Sequence, residues 1–402
     1  MIEIEERLAD LRDRGLYRRM RVISGPQGPR VVLDGKPVLL LCSNNYLGLA
    51  DHPRVREAAA DAALRFGVGA GGSRLVSGTM RIHGKLEERL AAFKGSESAL
   101  LFGSGYLANM GVVSALAGAN EIVFSDELNH ASIIDGCRLS HAGTFVYRHN
   151  DLEHLEWGLE QAAGRGALIV TDSVFSMDGD VAPLAELVEL AQRFGVRLAV
   201  DEAHGVGCLG PGGRGAVHEA GVQDHVDVVM GTLGKALGAY GAYVTCSDEL
   251  AQFLVNSARP FIFSTAPPPP AIAGALAALE LLAEEPHRVD HLAANGDVLR
   301  DELAREGFDV TGSTTQIVPL VIGEAEQAMT ICEEAIEHGV FAQAIRPPTV
   351  AEGTSRLRLA VMATHDRSEL REAARVLGRA ALQAGFRPGA GLPVAAASVR
   401  AA

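Results

Sequence analysis

The chain has 402 residues, which is enough for one large domain and a smaller one. Its 36 Lys and Arg residues and 50 Asp and Glu residues give a formal net charge of −14, which argues against nucleic acid or an anionic membrane surface as a partner. The five cysteines are scattered and form no C-x-x-C pair, so we expect reduced packing residues in a cytoplasmic protein and no metal site. The acidic N-terminus lacks the apolar core of a signal peptide.

The first part of the chain predicts helices around a small hairpin. Residues 1–24 have the charged, amphipathic pattern of a helix that ends near Ser24-Gly25-Pro26. Residues 31–35 and 38–41 resemble a hairpin. Helices are then predicted at 53–66 and 84–94.

Strands and helices alternate from about residue 98 to residue 247. Strands are predicted at 121–124, 144–147, 167–171, 197–200, 226–230 and 241–246. Helices are predicted at 106–117, 131–140, 151–163, 183–194 and 248–258. This alternation predicts a mostly parallel sheet covered by helices on both faces. Ligands of such sheets bind beyond the carboxyl ends of the strands.

The last part of the chain predicts a smaller α+β domain. Residues 266–283 are almost entirely apolar, but the segment begins with four prolines and contains Glu280, so we expect a buried helix and not a membrane span. Beyond about residue 290, strands near 316–322 and 356–362 alternate with helices at 325–338 and 367–385. The predicted domains are an N-terminal helix and hairpin at 1–50, a large α/β domain at 51–285, a C-terminal α+β domain at 286–386 and a flexible tail at 387–402.

Two polar segments each follow a predicted buried strand. Asp201 and His204 lie just after the strand at 197–200, and Lys235 lies in a glycine-rich segment after the strand at 226–230. An acid at one strand end and a lysine at another are the pair that pyridoxal 5'-phosphate (PLP) requires. The lysine amine forms a Schiff base with the aldehyde, and the carboxylate keeps the pyridine nitrogen protonated so that the ring accepts electrons.

Three further features fit the same site, although each has a simpler explanation. Gly105 and Tyr106 precede a predicted helix, where backbone N–H groups bind phosphate, but such a turn is often only a turn. His130 opens another helix and either caps it or stacks on a flat cofactor ring. Ser176 follows the strand at 167–171 and either bonds the cofactor or starts a turn.

Two arginines alternate with leucines in the C-terminal part, at Arg356 and Arg358. Alternation in a strand points both side chains to one face. We expect Arg356 to lie on a solvated edge strand. We expect Arg358 to bind a carboxylate, because a guanidinium group grips a carboxylate with two parallel hydrogen bonds.

Together these segments resemble the α-oxoamine synthases, a branch of the fold-type I PLP enzymes, over residues 15–386. The resemblance rests on the segments Ser43–Gly48, Phe175–Gly179, Asp201–Gly205 and Gly231–Lys235. It implies a fold-type I transferase: a mostly parallel seven-stranded sheet with helices on both faces, plus a smaller C-terminal α+β domain. Glu202 stands where many members carry a second aspartate, a departure that leaves Asp201 untouched.

The resemblance also implies roles at the cofactor. Lys235 is the Schiff-base lysine and the base that takes the α-proton of the amino acid, and Asp201 pairs with the pyridinium nitrogen. His130 stacks on the ring, while His204 and Ser176 bond near the ring oxygen. The residues implied to hold the phosphate are Gly105, Tyr106 and Thr232, joined by Ser264 and Thr265 from the other subunit of a homodimer with shared sites.

Substrate residues follow from the same resemblance. Asn44 and Arg358 are implied to hold the carboxylate of the amino acid, with His130 beside it. Arg18 and Thr349 are implied to contact the acyl substrate, and the neighbours of Arg18, Arg19 and Arg21, stay open as alternatives to it.

Within the branch, residues 344–350 resemble the members that serve biotin biosynthesis. That resemblance implies a decarboxylative condensation of L-alanine with a pimeloyl thioester, carried by CoA or by a carrier protein, to give 8-amino-7-oxononanoate, CO2 and a free thiol. Three alternatives stay open: the same chemistry on glycine and acetyl-CoA, alone or as a second specificity; an aminotransferase of the same fold; and a cofactor-binding protein without activity.

Overall fold

The computed structural model describes residues 3–389. These residues form two compact units. The terminal unit consists of residues 3–44, 177–179 and 291–389, and the central unit of residues 45–176 and 180–290. Most of the predicted tail, residues 390–402, lies outside the described residues, as do Met1 and Ile2.

The structure gives the following element bounds in chain order. The strands are β1 (Ile23–Ser24), β2 (Arg30–Leu33), β3 (Lys36–Leu40), β4 (Ser98–Phe102), β5 (Ile122–Asp126), β6 (Gly143–Tyr147), β7 (Gly166–Asp172), β8 (Arg197–Asp201), β9 (Val228–Thr232), β10 (Ala242–Cys246), β11 (Ile317–Gly323), β12 (Val340–Phe341), β13 (Gln343–Ile345) and β14 (Ser355–Ala360). The α-helices are α1 (Ile4–Asp13), α2 (Pro53–Phe66), α3 (Arg81–Lys94), α4 (Gly105–Leu116), α5 (Ala131–Ser140), α6 (Leu152–Gln161), α7 (Leu184–Phe194), α8 (Ala216–Glu219), α9 (Asp248–Ser257), α10 (Arg259–Phe263), α11 (Pro269–Glu284), α12 (His287–Arg305), α13 (Ala325–Glu337) and α14 (Arg367–Gln383).

The central unit is built on a seven-stranded sheet with the order β4-β10-β9-β8-β7-β5-β6. The strands β5 to β9 pair in parallel, whereas β10 pairs antiparallel with both β4 and β9. The predicted mostly parallel, seven-stranded sheet is therefore confirmed. Its antiparallel pairs lie at one side, so the carboxyl ends of β7, β8 and β9 lie side by side at one edge of the sheet.

Both faces of this sheet are buried, as the apolar runs predicted. In β7, Leu168 and Val170 join a core cluster that includes residues of α4, α5 and α9. Between them, Ile169 joins a second cluster that includes residues of α6 and α7. Because successive side chains of a strand point to opposite faces, a strand buried on both sides has no polar alternation in its sequence.

The terminal unit holds two smaller sheets, one with the order β1-β2-β3-β12 and one with the order β11-β14-β13. The predicted hairpin corresponds to β2 and β3, which pair antiparallel. The predicted helix over residues 1–24 is wrong beyond residue 13. The helix α1 ends at Asp13 and Gly15 adopts a φ of 64°, a left-handed conformation that stops a helix, so Ile23 and Ser24 form β1 instead.

The apolar segment at 266–283 forms α11, and Ile272, Ala275 and Leu281 on it are fully buried. Among residues 3–389, the structure contains no helix that combines the length and the apolar character needed to cross a bilayer.

Candidate cofactor site

The carboxylate of Asp201 is buried at the carboxyl end of β8, and only 4% of the residue is exposed. The side-chain amide of Asn109 on α4 donates to Oδ2 over 2.6 Å, and the backbone N–H of Ala203 donates to Oδ1 over 2.7 Å. Two donors compensate for part of the cost of burying a charged oxygen pair. They also hold the carboxylate in one orientation.

Lys235 lies three residues beyond the end of β9, in the turn that leads to β10. Its Nζ atom lies 2.7 Å from Nε2 of His204, and Nδ1 of His204 lies 2.7 Å from the hydroxyl of Tyr46. Tyr46 is fully buried, so this row of three groups is anchored in the protein interior. His204 and Lys235, both named in the sequence analysis, therefore lie within hydrogen-bond distance of each other.

His130 directly precedes α5, where its backbone N–H donates to Oδ2 of Asp172 over 2.8 Å. Its Nδ1 atom lies 2.7 Å from the hydroxyl of Ser132. Burial lowers the pKa of His130; the charge of Lys235 lowers it further, and that of Asp201 opposes both. His130 thus lies within electrostatic reach of Asp201 and Lys235.

Asp172 is a second buried acid at this edge of the sheet. It pairs in register with Asp201 across β7 and β8, and 4% of it is exposed. Burial first, and then the neighbouring charge of Asp201, raise the pKa of Asp172 well above its usual value.

The start of α4 provides a set of backbone donors. Ser104 caps the helix, because its hydroxyl accepts from the backbone N–H of Leu107 over 3.3 Å. Gly105 and Tyr106 are the first residues of the helix, and the ring of Tyr106 meets that of His130 edge-on, with centroids 6.2 Å apart. Thr232 ends β9, and its Oγ1 accepts from the backbone N–H of Gly234 over 3.2 Å. The residues predicted to hold the phosphate therefore lie in the same unit as Asp201.

Glu202, the departure from the family pattern, is explained by an ion pair. The residue is fully buried, and its carboxylate bonds the amine of Lys94, which is 3% exposed and also donates to the backbone carbonyl of Arg214. The backbone N–H of Val217 donates to the other carboxylate oxygen over 2.7 Å. The longer side chain of glutamate, compared with aspartate, therefore takes part in a buried ion pair that links the end of β8 to α3.

Three other predicted cofactor residues lie in loops of the central unit. Ser176 lies in the turn after β7, where Val174 and Val181 form an isolated bridge. Ser264 follows α10, and Thr265 forms an isolated bridge with Ser73.

Apart from His130, the predicted substrate residues lie in the terminal unit. Arg18 donates to the backbone carbonyl of Pro347 over 3.3 Å, and Arg18 and Thr349 line one cavity of about 330 Å³. Arg19, Arg21 and Arg346 line the same cavity, so it is rich in cations. Asn44 is the last residue of the first segment of this unit.

Arg358 and Arg356 lie on β14, which is the central strand of its sheet. The predicted solvated edge position of Arg356 is wrong, since the residue is 7% exposed and its guanidinium group bonds the carboxylate of Asp178. The pairing with an acid, which comes from a distant part of the chain, allows the arginine to be buried. Arg358 is buried as well, at 6% exposure, and its charge acts on Cys42.

Four polar residues of the site were missed by the sequence analysis: Tyr46, Asn109, Ser132 and Asp172. Each lies within or beside a segment that the analysis had singled out, so the available signal was proximity to a motif. Asn109 is 92 positions from Asp201 and Tyr46 is 158 positions from His204. No local pattern specifies pairs at such separations.

Comparison with known proteins places this geometry in a family. A model of class I and II aminotransferases matches residues 36–377. An 8-amino-7-oxononanoate synthase from Citrifermentans bemidjiense is 56% identical over 375 residues, which cover 92% of this chain and 96% of the relative. Another from Geobacter sulfurreducens is 53% identical over 382 residues, which cover 94% and 98%. The chain belongs to the α-oxoamine synthase family of fold-type I PLP enzymes.

A solved structure supports the same assignment. A serine palmitoyltransferase variant from S. paucimobilis, with PLP and myriocin bound, matches the fold with a TM-score of 0.90 and 32% identity over 95% of this chain and 97% of that one. As a member of this family the chain is a PLP-dependent acyltransferase. The side chains and backbone groups of this site suit the cofactor. A buried carboxylate can pair with the ring nitrogen, an amine can react with the aldehyde, and a capped helix start can bind the phosphate.

Proposed function

We propose that the chain catalyses the decarboxylative condensation of L-alanine with a pimeloyl thioester, which gives 8-amino-7-oxononanoate, CO2 and a free thiol for biotin biosynthesis. The observation that carries the chemistry is that a buried carboxylate, Asp201, ends β8 while an amine, Lys235, follows the neighbouring parallel strand β9, with its Nζ atom 2.7 Å from Nε2 of His204. The choice of substrates rests on the relatives, two of which share 53% and 56% of their residues with this chain.

The residues proposed to hold PLP divide by the part of the cofactor that they meet. Lys235 meets the aldehyde and Asp201 the ring nitrogen, while His130 stacks on the ring and His204 and Ser176 bond near its oxygen. The proposed phosphate residues are Gly105, Tyr106, Thr232 and, from the partner subunit of a homodimer, Ser264 and Thr265. When bound, PLP supplies a sink for the electron pair that remains on the amino acid after a proton or CO2 leaves.

In the proposed reaction, Lys235 removes the proton from the α-carbon of alanine. A lysine acts as a base only when its amine is neutral, and the contact of Nζ with Nε2 of His204 provides a hydrogen-bond partner for that amine. The α-carbon then bonds to the thioester carbonyl, and the thiolate leaves and takes up a proton. The alanine carboxylate departs as CO2, and a proton returns to the α-carbon, so that atoms and charge balance.

Asp201 has an electrostatic role in this scheme. Its two donors, the Asn109 amide and the Ala203 N–H, leave carboxylate lone pairs that accept from a protonated ring nitrogen. A carboxylate in this position makes the ring a stronger electron acceptor. We further propose Asn44 and Arg358, with His130 beside them, for the alanine carboxylate, and Arg18 and Thr349 for the acyl chain, on the family resemblance alone.

We also propose that the protein is a cytoplasmic homodimer with shared sites. Several large apolar side chains of the central unit are strongly exposed, among them Leu64, Val76 and Phe263, at 88%, 83% and 69%. Exposed apolar groups of this size favour burial against another chain. All five cysteines are unpaired, which suits a reducing compartment.

The first test is a thiol-release assay that crosses alanine and glycine with pimeloyl-CoA, a pimeloyl carrier protein and acetyl-CoA. We expect release with alanine and a pimeloyl thioester. Strong release with glycine and acetyl-CoA alone would transfer the assignment to glycine C-acetyltransfer. Conversion of bound PLP to pyridoxamine phosphate by an amino donor alone would identify an aminotransferase instead.

The matched variants in this assay are Lys235→Ala and Lys85→Ala. Lys85 is an exposed lysine of α3, in the same unit. We expect Lys235→Ala to abolish turnover with an unchanged circular dichroism spectrum, because no other base replaces its amine. Lys85→Ala keeps the wild-type rate, and a near-normal rate in Lys235→Ala would disprove the assigned role.

A further inference from the structure

The side chains of Asn109 and Ser132 connect Asp201 to His130. Nδ2 of Asn109 lies 2.6 Å from Oδ2 of Asp201 and 3.0 Å from Oγ of Ser132. That hydroxyl lies 2.7 Å from Nδ1 of His130. Asn109, Ser132 and Asp201 are 5%, 0% and 4% exposed, so water competes little for these hydrogen bonds.

The donors and acceptors of these four side chains fix the direction of the hydrogen bonds between them. A carboxylate has acceptors only, so the amide of Asn109 must turn its N–H₂ group, and not its oxygen, toward Asp201. The second hydrogen of the same N–H₂ group points to Ser132, whose hydroxyl oxygen therefore accepts. The hydroxyl of Ser132 keeps its own proton, which it can donate to Nδ1 of His130.

A second donor reaches the same ring nitrogen. The backbone N–H of Ser132 donates to Nδ1 of His130 over 3.3 Å, in the cap of α5. A ring nitrogen that accepts from two donors carries no proton. The proton of the neutral imidazole is consequently on Nε2.

The surroundings favour the neutral ring. Burial lowers the pKa of His130, and the positive charge of Lys235 lowers it further, while the negative charge of Asp201 opposes them. Asp172 faces the backbone N–H of His130, and the ring of Tyr106 packs edge-on against the imidazole. Burial therefore favours a neutral imidazole, and the hydrogen bonds favour one with its proton on Nε2.

We propose that Asn109 and Ser132 are positioning residues. Their hydrogen bonds link the Asp201 carboxylate to His130 and hold its imidazole as the tautomer protonated at Nε2. His130 then offers a hydrogen-bond donor at Nε2 to the reactants, at the same time as Asp201 is fixed as an acceptor. The catalytic part of this inference rests on the proposed function, but the tautomer itself exists without cofactor or substrate.

The direct test is a long-range ¹H–¹⁵N spectrum of the full chain labelled with ¹⁵N-histidine, with the signals of His130 assigned from their loss in His130→Asn. We expect the pattern of a neutral ring protonated at Nε2 at pH 7.5. In Ser132→Ala and Asn109→Ala we expect a mixture of tautomers. A wild-type ring protonated at Nδ1, or one charged at this pH, would overturn the proposal without any need for a variant.

The kinetic test uses Ser132→Ala, its rescue by Ser132→Thr and a matched control, Ser114→Ala. Ser114 lies on α4, where its hydroxyl bonds the carbonyl of Met110 in its own helix. We expect kcat/KM for the thioester to fall about tenfold in Ser132→Ala, the effect typical of losing a partner that orients a histidine. Because the lost donor favoured the neutral ring, the acidic limb of the pH profile moves to higher pH.

The outcomes separate the two proposals. Ser132→Thr restores the rate and the profile if the hydroxyl is what matters, whereas a loss that threonine does not restore, with an unmoved profile, contradicts the positioning role. If no substrate pair releases thiol but the spectrum shows the Nε2 tautomer, the proposed function fails and the tautomer assignment holds. If thiol is released and the variants leave the His130 signals unchanged, the positioning role fails alone.

Discussion

At the scale of single residues, Lys235, the proposed Schiff-base lysine, is linked through His204 to the buried side chain of Tyr46. The hydroxyl of Tyr46 bonds Nδ1 of His204, whose Nε2 meets Nζ of Lys235, with both distances at 2.7 Å. The fully buried tyrosine fixes the plane of the imidazole, and the imidazole in turn fixes the amine. If Lys235 moves the proton as proposed, Tyr46 acts on that step through His204.

This arrangement predicts a moderate kinetic defect in Tyr46→Phe. Loss of the hydroxyl leaves a buried imidazole nitrogen without its hydrogen-bond partner, at a cost of about 1 kcal/mol. If that cost falls on the transition state, kcat decreases about fivefold. The measurement is steady-state thiol release with alanine and the pimeloyl thioester, with PLP occupancy recorded for each preparation.

The matched control is Tyr243→Phe. Tyr243 is also fully buried in the central unit, but within residues 3–389 its hydroxyl has no hydrogen-bond partner. We expect this variant to keep the wild-type kcat. Equal effects of the two substitutions would mean that Tyr46 contributes packing alone.

At the scale of elements, a histidine after β6 joins two loops that carry proposed cofactor residues. Nδ1 of His149 lies 2.9 Å from Asp126, at the end of β5 and just before the loop of His130. Nε2 lies 2.7 Å from Asp180, in the turn that contains Ser176. Burial lowers the pKa of His149, but the hydrogen bonds and charges of the two carboxylates outweigh burial and raise it to about 10.

The sign of the resulting pH dependence follows from linkage. The folded pKa of His149 exceeds its unfolded value, so its contribution to stability is complete below about pH 6.5 and is lost as pH rises toward 10. We expect His149→Gln to lower the free energy of unfolding by roughly 3 kcal/mol at pH 6, because two carboxylates are left facing each other. The difference from wild type shrinks as pH approaches 10.

Urea unfolding followed by circular dichroism at several pH values measures this difference. His338→Gln is the control, since that histidine is half exposed beside Glu334 on α13 and contributes at most about 0.5 kcal/mol. A destabilisation by His149→Gln that grows from pH 6 to pH 9.5 would contradict a charged imidazole between Asp126 and Asp180.

At the scale of the whole molecule, the proposed homodimer with shared sites predicts complementation between two defective subunits. One subunit carries Lys235→Ala and the other carries Ser264→Ala with Thr265→Ala. In a mixed dimer, the subunit that keeps Lys235 receives an intact Ser264 and Thr265 from its partner. One of the two sites is then complete, so we expect about half of the wild-type activity.

Co-expression with two different affinity tags isolates the mixed dimer for this measurement. Each variant homodimer is the control, with no turnover for Lys235→Ala and weak turnover for the double variant. A mixed dimer no more active than the average of the two homodimers would show that Ser264 and Thr265 serve the site of their own chain.

The sequence by itself determined the central sheet and the position of Asp201 and Lys235 at its edge. Buried parallel strands are apolar runs and their helices have a 3.6-residue period, so both can be read locally. Asp201 and Lys235 directly follow such strands, and the carboxyl ends of parallel strands meet at one edge of the sheet. The apolar runs that predict the strands therefore also predict where these two residues lie.

The tertiary structure alone decided which distant partners complete the site. Asp178 forms an ion pair with the buried Arg356, and Lys94 forms one with the buried Glu202. The amide of Asn109 donates to the carboxylate of Asp201. The partners in these pairs are 178, 108 and 92 positions apart in the chain. A buried charge or amide is stable only beside a complementary group. Local propensity carries no record of that group, because folding brings the two together from separate elements.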